Sequence, residues 1–333
     1  MSSFFSKYDV LAFSHTGNPR QSPILSGFKC LRLCTRPHKA DSGGVAIYVK
    51  DWMHPSTSVA QYDRGEGILW IKITPPIFAS DLFIGVVYLP PRHKDGALFW
   101  ALLQQHVQHF QELGQVILTG DFNAHTGTSA DYPTTAINPH PPQRENSDSS
   151  GIEKYGRSLL SLCHATGLLL MNGRTPGDPI GAATYDDPMR KKRAIVQRRT
   201  VIDYILAPSS LVFDAAGVLR PLVDMRVVPY QELRLSPSTT RSLRGHTRNG
   251  ARFDHHPLTL TLPRDIIPPP SLPPPPPPIP PPPTCLEDSL GLRWSDELRI
   301  PYANLIKTDP RIENLSAAQC SAVQRSAAQC SAV

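Results

Sequence analysis

The segment Leu118–Gly127 reads LTGDFNAHTG, and it follows a short apolar run, 115–118, that has the composition of a β-strand. Asp121 and Asn123 therefore stand two residues apart on the turn where that strand ends. An Asp-x-Asn pair in such a position is commonly an Asx-turn, in which the carboxylate accepts a backbone N–H. The same pair can bring a carboxylate and an amide to a reaction site, so both interpretations stay open.

Three further motifs place polar side chains at strand ends or inside apolar runs. They are Tyr88 in LFIGVVYLPP (82–91), Asp203 in VIDYIL (201–206), and Asp254 with His255 in FDHHPL (253–258). A buried carboxylate such as Asp203 needs a partner, because burial without one is costly. Together the four motifs suit metal-assisted phosphodiester hydrolysis: hard oxygen ligands, a water-activating carboxylate, and donors to phosphate oxygens.

The spacing of apolar residues predicts many short strands and few helices. Residues 98–113 and 155–167 carry apolar residues at helical spacing. This balance favours two packed sheets with helices outside over a purely parallel series of strand–helix–strand units. The strand-like runs are 8–13, 44–49, 67–73, 82–89, 115–118, 183–185, 201–206, 222–228 and 258–262.

Composition limits the classes of protein to which the chain can belong. Of 333 residues, 40% are hydrophobic and 19% are charged, which suffices for a folded core. No stretch approaches the ~18–20 apolar residues of a membrane span, and the N-terminus lacks the apolar run of a signal peptide. Six scattered cysteines make no disulfide framework. We expect a nuclear or cytoplasmic protein with no membrane partner, whose net charge of +6 favours anionic partners.

The character of the chain changes after residue 262. Residues 268–283 read PPPSLPPPPPPIPPPP, which predicts a polyproline II rod that a proline-motif-binding protein would recognise. The C-terminus contains SAAQCSAV twice, a repeat too short to build a core. We predict a folded domain over 1–262, a proline-rich linker over 263–284, and a mostly disordered tail over 285–333.

The motifs GDFNAHTG, VVYLPP, VIDYIL and DHHPL, in this order and spacing, resemble the endonuclease/exonuclease/phosphatase superfamily. Within it they most resemble the endonuclease domain of non-LTR (LINE-type) retrotransposon polyproteins, as do GGVAIYV (43–49) and the block 155–177. The resemblance implies an α/β (α+β) fold, a four-layer sandwich of two mixed β-sheets flanked by helices. It covers roughly residues 8–262, and the disordered proline-rich tail follows.

The resemblance also assigns a role to each motif residue. Asp121 orients or deprotonates the attacking water, and Asn123 positions the scissile phosphate. Tyr88 donates a hydrogen bond to a phosphate oxygen. Asp203 holds and charges the imidazole of His255, and that imidazole stabilises the charge developing on the phosphate. This would explain why a carboxylate stands inside an apolar strand.

Metal ligation is where the sequence departs from the family pattern. The resemblance makes Asp254 and Asp121 metal ligands, with Mg²⁺ or Mn²⁺ as the ion. Family members carry a metal-binding Glu at the end of the strand that reads YDVLAFSHTG here (8–17), and His15 occupies that position. Imidazole suits Mn²⁺ or Zn²⁺ better than Mg²⁺. A preceding family strand with an Asn has no counterpart, so we expect an N-terminally truncated domain with His15 as a metal ligand and impaired cleavage.

Two clusters of basic residues favour DNA as the partner over a small phosphate ester. The cluster at 189–199 occupies the position of a hairpin that probes the DNA groove in the retrotransposon branch. A solvated loop or a nuclear-import signal is the alternative interpretation. The predicted DNA-binding residues are Arg190, Lys191, Lys192, Arg193, Arg198, Arg199, Arg248 and Arg252.

Three functions are compatible with this sequence. The leading one is a metal-dependent phosphodiester hydrolase that acts on DNA, a retrotransposon-type endonuclease with impaired activity. The second is a non-catalytic remnant that binds DNA or a proline-reading partner. The third is a phosphatase of the same superfamily, although the basic loops suit a polymer better than a small ester.

Overall fold

A computed structural model describes residues 4–14, 16, 24–34, 43–63, 67–91, 93, 96–132, 141–186, 199–214, 216–229, 232 and 255–262. Several predictions lie outside these residues: those for His15, for Asp254, for the basic clusters at 190–198 and 248–252, and for the chain beyond 262.

The described residues form thirteen strands and three α-helices, most of them at the predicted places. The helices are α1 (Gly96–Leu113), α2 (Lys154–Thr166) and α3 (Ser209–Val212). The strands are β1 (Val10–Ser14), β2 (Phe28–Cys34), β3 (Val45–Lys50), β4 (Thr57–Asp63), β5 (Ile68–Ile73), β6 (Leu82–Tyr88), β7 (Gln115–Asp121), β8 (Leu168–Leu170), β9 (Tyr185–Asp186), β10 (Arg199–Thr200), β11 (Asp203–Pro208), β12 (Asp224–Val227) and β13 (Leu258–Thr261).

Two main sheets organise the fold. The larger has six strands in the order β4-β5-β6-β7-β11-β8, and it is mixed, because β6 and β7 run parallel while their neighbours pair antiparallel. The other main sheet has three strands in the order β1-β3-β2. Two antiparallel pairs, β9 with β10 and β12 with β13, complete the topology of the described residues.

The six-stranded sheet is covered on both faces, which explains its nearly continuous apolar strands. In β5, Ile68 and Trp70 point to the side covered by α1 and α2, where Phe83 stacks on Phe110 at 4.7 Å between ring centroids. Leu69 and the following alternate residues of β5 point to the opposite core, which they share with the three-stranded sheet. Because successive side chains of a strand point to opposite faces, alternate residues of β5 pack into two separate cores.

The predicted fold class, an α/β sandwich of two β-sheets with helices outside, is confirmed. Strands β2, β4, β8 and β10 were not predicted. The polar stretch 126–152 is anchored in the interior where the structure describes it. Asp131 forms a bidentate ion pair with Arg174, with both N–O distances at 2.8 Å and both side chains at most 1% exposed. No helix formed by the described residues has the length and apolarity to cross a membrane.

Candidate active site

Strand register alone brings three of the predicted residues together at the same end of the central strands β6, β7 and β11 of the six-stranded sheet. Asp203, the first residue of β11, pairs with Asp121, the last residue of β7. Tyr88, the last residue of β6, pairs with Asp121 across the parallel ladder. Paired residues point to the same face of a sheet, so the two carboxylates are direct cross-strand neighbours. The ring of Tyr88 packs into the core between the two main sheets.

His255 lies between these two carboxylates. Its Nδ1 lies 3.0 Å from both carboxylate oxygens of Asp203, and its Nε2 lies 4.0 Å from Oδ2 of Asp121. An ionised carboxylate can only accept a hydrogen bond, so Nδ1 carries the proton and donates it to Asp203. The Nε2 atom is then directed towards Asp121. The result is a row of carboxylate, imidazole and carboxylate, with the imidazole the most exposed of the three at 30%.

The turn after β7 holds Asp121 and Asn123 in a fixed relation. Gly120 has φ +140°, and a Cβ there would overlap the carbonyl oxygen of Val87, so this approach of two strands requires glycine. Asn123, at φ +46°, donates its backbone N–H to Oδ1 of Asp121 at 2.9 Å. Its Nδ2 donates to the same oxygen and to the carbonyl of Leu89. The Asx-turn is therefore present. The Oδ1 atom of Asn123 takes no part in these hydrogen bonds, so it can accept one from a ligand.

Two residues that the sequence analysis missed hold the strand that carries Asp203. Thr184 is fully buried; its Oγ1 accepts the backbone N–H groups of Ile202 and Asp203 at 3.1 Å, and its carbonyl accepts that of His256 at 2.6 Å. Asn172 donates through Nδ2 to the carbonyl of Asp203 at 3.1 Å. Thr184 thus connects the segments that carry the two members of the Asp203–His255 pair. The only signal for it in the sequence was its position within the strand-like run 183–185.

Electrostatics make Asp121 the group most in need of a cation. Burial and the neighbouring charge of Asp203 raise the pKa of Asp121 to about 8, although His255 and the hydrogen bonds from Asn123 oppose the rise. One ligand atom each from Asp121, Asp203 and His255 lies within 4.8 Å of the other two. Two carboxylates and one imidazole form a donor set that fits Mg²⁺ or, with its nitrogen ligand, Mn²⁺.

The raised pKa of Asp121 predicts a pH-dependent stability of the metal-free protein. A folded-state pKa of about 8, above the ordinary value of 3.8, means that the folded chain keeps a proton that the unfolded chain loses. This contribution to stability is complete below pH 4 and is lost as the pH rises towards 8. We expect Asp121→Asn to gain unfolding free energy relative to wild type as the pH rises, measured by urea denaturation in EDTA at pH 5, 6.5 and 8. Parallel pH profiles for the two proteins would contradict this.

The other predicted site residues that the structure describes have different surroundings. Arg199 is exposed, and its Nε forms an ion pair with Asp186 at 3.0 Å. Its guanidinium is thus paired with a carboxylate of this protein. His256, next to His255 in sequence, points the other way, with Nε2 at 3.5 Å from Asp186. The geometry thus distinguishes the two adjacent histidines, since only His255 lies within 4.0 Å of Asp121.

Comparisons with known proteins agree with this fold. The model of the Endonuclease/Exonuclease/phosphatase family matches residues 2–239, so the chain belongs to that family. Among solved structures, the AP endonuclease LMAP from Leishmania major is 13% identical, covers 78% of this chain and 79% of its own, and superposes with a TM-score of 0.51. That similarity shows the fold.

Two further solved structures are similar at lower TM-scores. The endonuclease domain of TRAS1, a telomere-specific non-LTR retrotransposon, is 14% identical, covering 78% of this chain and 88% of its own, with a TM-score of 0.47. The 3′ phosphatase NExo from Neisseria, bound to a product DNA hairpin, is 18% identical, covering 76% and 88%, with a TM-score of 0.43. No curated protein matches the sequence.

Proposed function

We propose that this chain is a metal-dependent phosphodiester hydrolase that cuts DNA, an endonuclease of the non-LTR retrotransposon type. The observation that carries the proposal is the row formed by Asp121, His255 and Asp203, with a hydrogen-bonded Asp–His pair on one side and a second carboxylate 4.0 Å from the imidazole on the other. Membership of the Endonuclease/Exonuclease/phosphatase family supports it.

The two carboxylates would act differently, because their surroundings differ. Asp203 binds Nδ1–H of His255, fixes the ring orientation, and stabilises positive charge on the imidazole. Asp121 faces the other ring nitrogen, and a water oxygen can lie within hydrogen-bond distance of both groups when they are 4.0 Å apart. We infer that Asp121 orients and deprotonates this water, while the imidazolium of His255 donates to the phosphate oxygen that gains charge.

The donors at this site would hold Mg²⁺ or Mn²⁺. Among the described residues Asp121 would supply a carboxylate ligand, while Asp203 and His255 stay paired with each other, and we propose Asp254 and His15 as further ligands on the strength of the family motifs. When bound, the ion supplies positive charge that stabilises phosphate oxygens and favours the ionised form of the Asp121 carboxyl. This is the charge that two neighbouring buried carboxylates otherwise lack.

DNA is the proposed substrate because the chain is basic and its cations are clustered around the motif residues. The net charge is +6, and six Lys or Arg lie within 189–199, directly before the strand that carries Asp203. Such clusters neutralise backbone phosphates and impose a strong salt dependence on binding. The order of the four motifs and the blocks at 43–49 and 155–177 support the retrotransposon type over a phosphatase for small esters.

A plasmid-nicking assay tests the proposed function. We expect conversion of supercoiled plasmid to the nicked circle in Mg²⁺ or Mn²⁺, and no conversion in EDTA. Salt-dependent DNA binding with no nicking in either metal would refute hydrolysis and support a non-catalytic DNA-binding protein. Release of inorganic phosphate from inositol phosphates, with the plasmid left intact, would indicate a phosphatase instead.

Activity is expected to be low in the natural sequence because His15 replaces the metal-binding Glu of the family motif. A carboxylate at this position supplies a hard oxygen ligand and a negative charge, both of which Mg²⁺ prefers to imidazole. We predict that His15→Glu raises Mg²⁺-dependent nicking at least about tenfold, measured as the initial rate at saturating metal. A matched His15→Gln variant, which lacks the charge, should show no gain. Equal rates for wild type and His15→Glu would contradict His15 as a metal-site residue.

A further inference from the structure

A groove of about 440 Å³ runs between α1 and α2 on the outside of the six-stranded sheet. Its floor includes Trp100, which is only 8% exposed, and its walls include Ala101 and Gln104 of α1 and Ser158 of α2. The indole Nε1–H of Trp100 is buried and has no acceptor among the described residues. A buried donor without an acceptor is costly, which points to a ligand or water that supplies one.

The charged residues that line the groove are all basic. Lys154 and Arg157 line it, both are exposed, and neither forms an ion pair with a described residue. The two helices together contain a single carboxylate, Glu112, in the last turn of α1. The N-cap residue of α2 is Glu153, whose carboxylate lies 3.8 Å from Nε2 of His125 and does not line the groove. The groove is therefore complementary to an anion.

The groove adjoins the loops that leave the candidate active site. Gly156, in the first turn of α2, packs so closely on the carbonyl of His125 that a Cβ there would overlap it, and His125 is two residues beyond Asn123. On the other side, Tyr155 accepts the backbone N–H of His93 at 2.9 Å, in the loop that follows β6. The basic end of the groove thus lies next to the segments that hold the catalytic side chains.

We propose that this α1–α2 groove binds the sugar–phosphate backbone of the DNA flanking the cleaved bond, with phosphates on Lys154 and Arg157. The proposal rests on the proposed function, since it takes DNA as the substrate. An acidic protein would also match the charge, but the position beside the catalytic loops favours the substrate itself. The apolar floor around Trp100 then faces deoxyribose, and the rim supplies the cations.

Two variants test this groove through DNA affinity. We expect Lys154→Gln/Arg157→Gln to weaken binding of a fluorescent duplex in EDTA about tenfold and to reduce the slope of log Kd against log salt by about 2. Ala101→Glu, which adds a carboxylate inside the groove on a helix that tolerates it, should weaken binding similarly. The matched controls are Lys7→Gln/Lys29→Gln, with the same loss of charge on exposed residues elsewhere, and Gln105→Glu on the exposed side of α1.

The outcomes separate the groove from the catalytic proposal. Weaker binding in both groove variants, with the controls unchanged, supports the groove even when no metal condition yields nicking. Wild-type affinity and salt slope in both groove variants overturn the proposal, in favour of an acidic protein as the occupant, even when metal-dependent nicking is present. An equal loss in groove variants and controls also overturns it, because the effect would then reflect net charge alone.

Discussion

Replacing His255 with alanine is expected to lower metal-dependent nicking about 100- to 10,000-fold, the usual contribution of a positioned general acid or base. The imidazole touches both carboxylates of the site, with Nδ1 at 3.0 Å from Asp203 and Nε2 at 4.0 Å from Asp121. Its removal takes away the donor to the phosphate and leaves the two neighbouring carboxylates without the intervening imidazole. The initial rate of nicking at saturating Mn²⁺ measures the effect, in the wild-type chain or in the more active His15→Glu background.

The matched control is His109→Ala, which removes an exposed imidazole from α1. It should retain the starting rate. Free imidazole added to His255→Ala should restore part of the activity, because the ring is 30% exposed and the cavity that it leaves is open to solvent. A rate for His255→Ala within threefold of the starting protein, about 0.7 kcal/mol in barrier height, would remove His255 from the mechanism.

The second large effect concerns stability. Replacing Asp131 with alanine is expected to lower the free energy of unfolding by about 3–5 kcal/mol, because it leaves the guanidinium of Arg174 buried without its counter-ion. Asp131 also accepts the backbone N–H of Leu170 at 2.6 Å, and Arg174 donates to the carbonyl of Pro142 at 2.8 Å. The pair thus fastens the loop after β7 to β8. Urea denaturation at pH 7 provides the measurement.

An exposed ion pair supplies the comparison for this stability effect. Arg199 and Asp186 form a similar contact at 3.0 Å, but the arginine side chain is 64% exposed. Arg199→Ala should therefore change the unfolding free energy by no more than about 1 kcal/mol. A loss of less than 1 kcal/mol for Asp131→Ala would contradict a structural role for the buried pair.

Most strands followed from the sequence because they are buried on one or both faces. Strands β5 and β6 appear as apolar runs since alternate residues enter two different cores. The missed strands lack that signal. Strand β4 (TSVAQYD) lies at the edge of its sheet and mixes polar residues with apolar ones, and β8 has only three residues directly after α2. Their strand character depends on pairing with distant segments, which local composition does not encode.

The candidate site was predictable in its residue types and less so in its geometry. Motif order indicated Asp121, Asp203 and His255, whereas their convergence depends on the register of β7 with β11 and on the bridge between Tyr185 and His255. Thr184 was missed because its contribution is made through hydrogen bonds to backbone groups, and such contacts leave no spacing pattern. The Asp131–Arg174 pair was missed for a related reason, since 43 positions separate its partners.

We propose that Asp121 acts together with the Asp203–His255 pair in hydrolysis. The most direct test is whether Asp121→Ala nicks supercoiled plasmid at saturating Mn²⁺. We predict loss of nicking to the level seen in EDTA, with an unchanged circular dichroism spectrum, while Glu112→Ala, an exposed carboxylate on α1, keeps the wild-type rate. Nicking by Asp121→Ala at the wild-type rate would contradict the proposed mechanism.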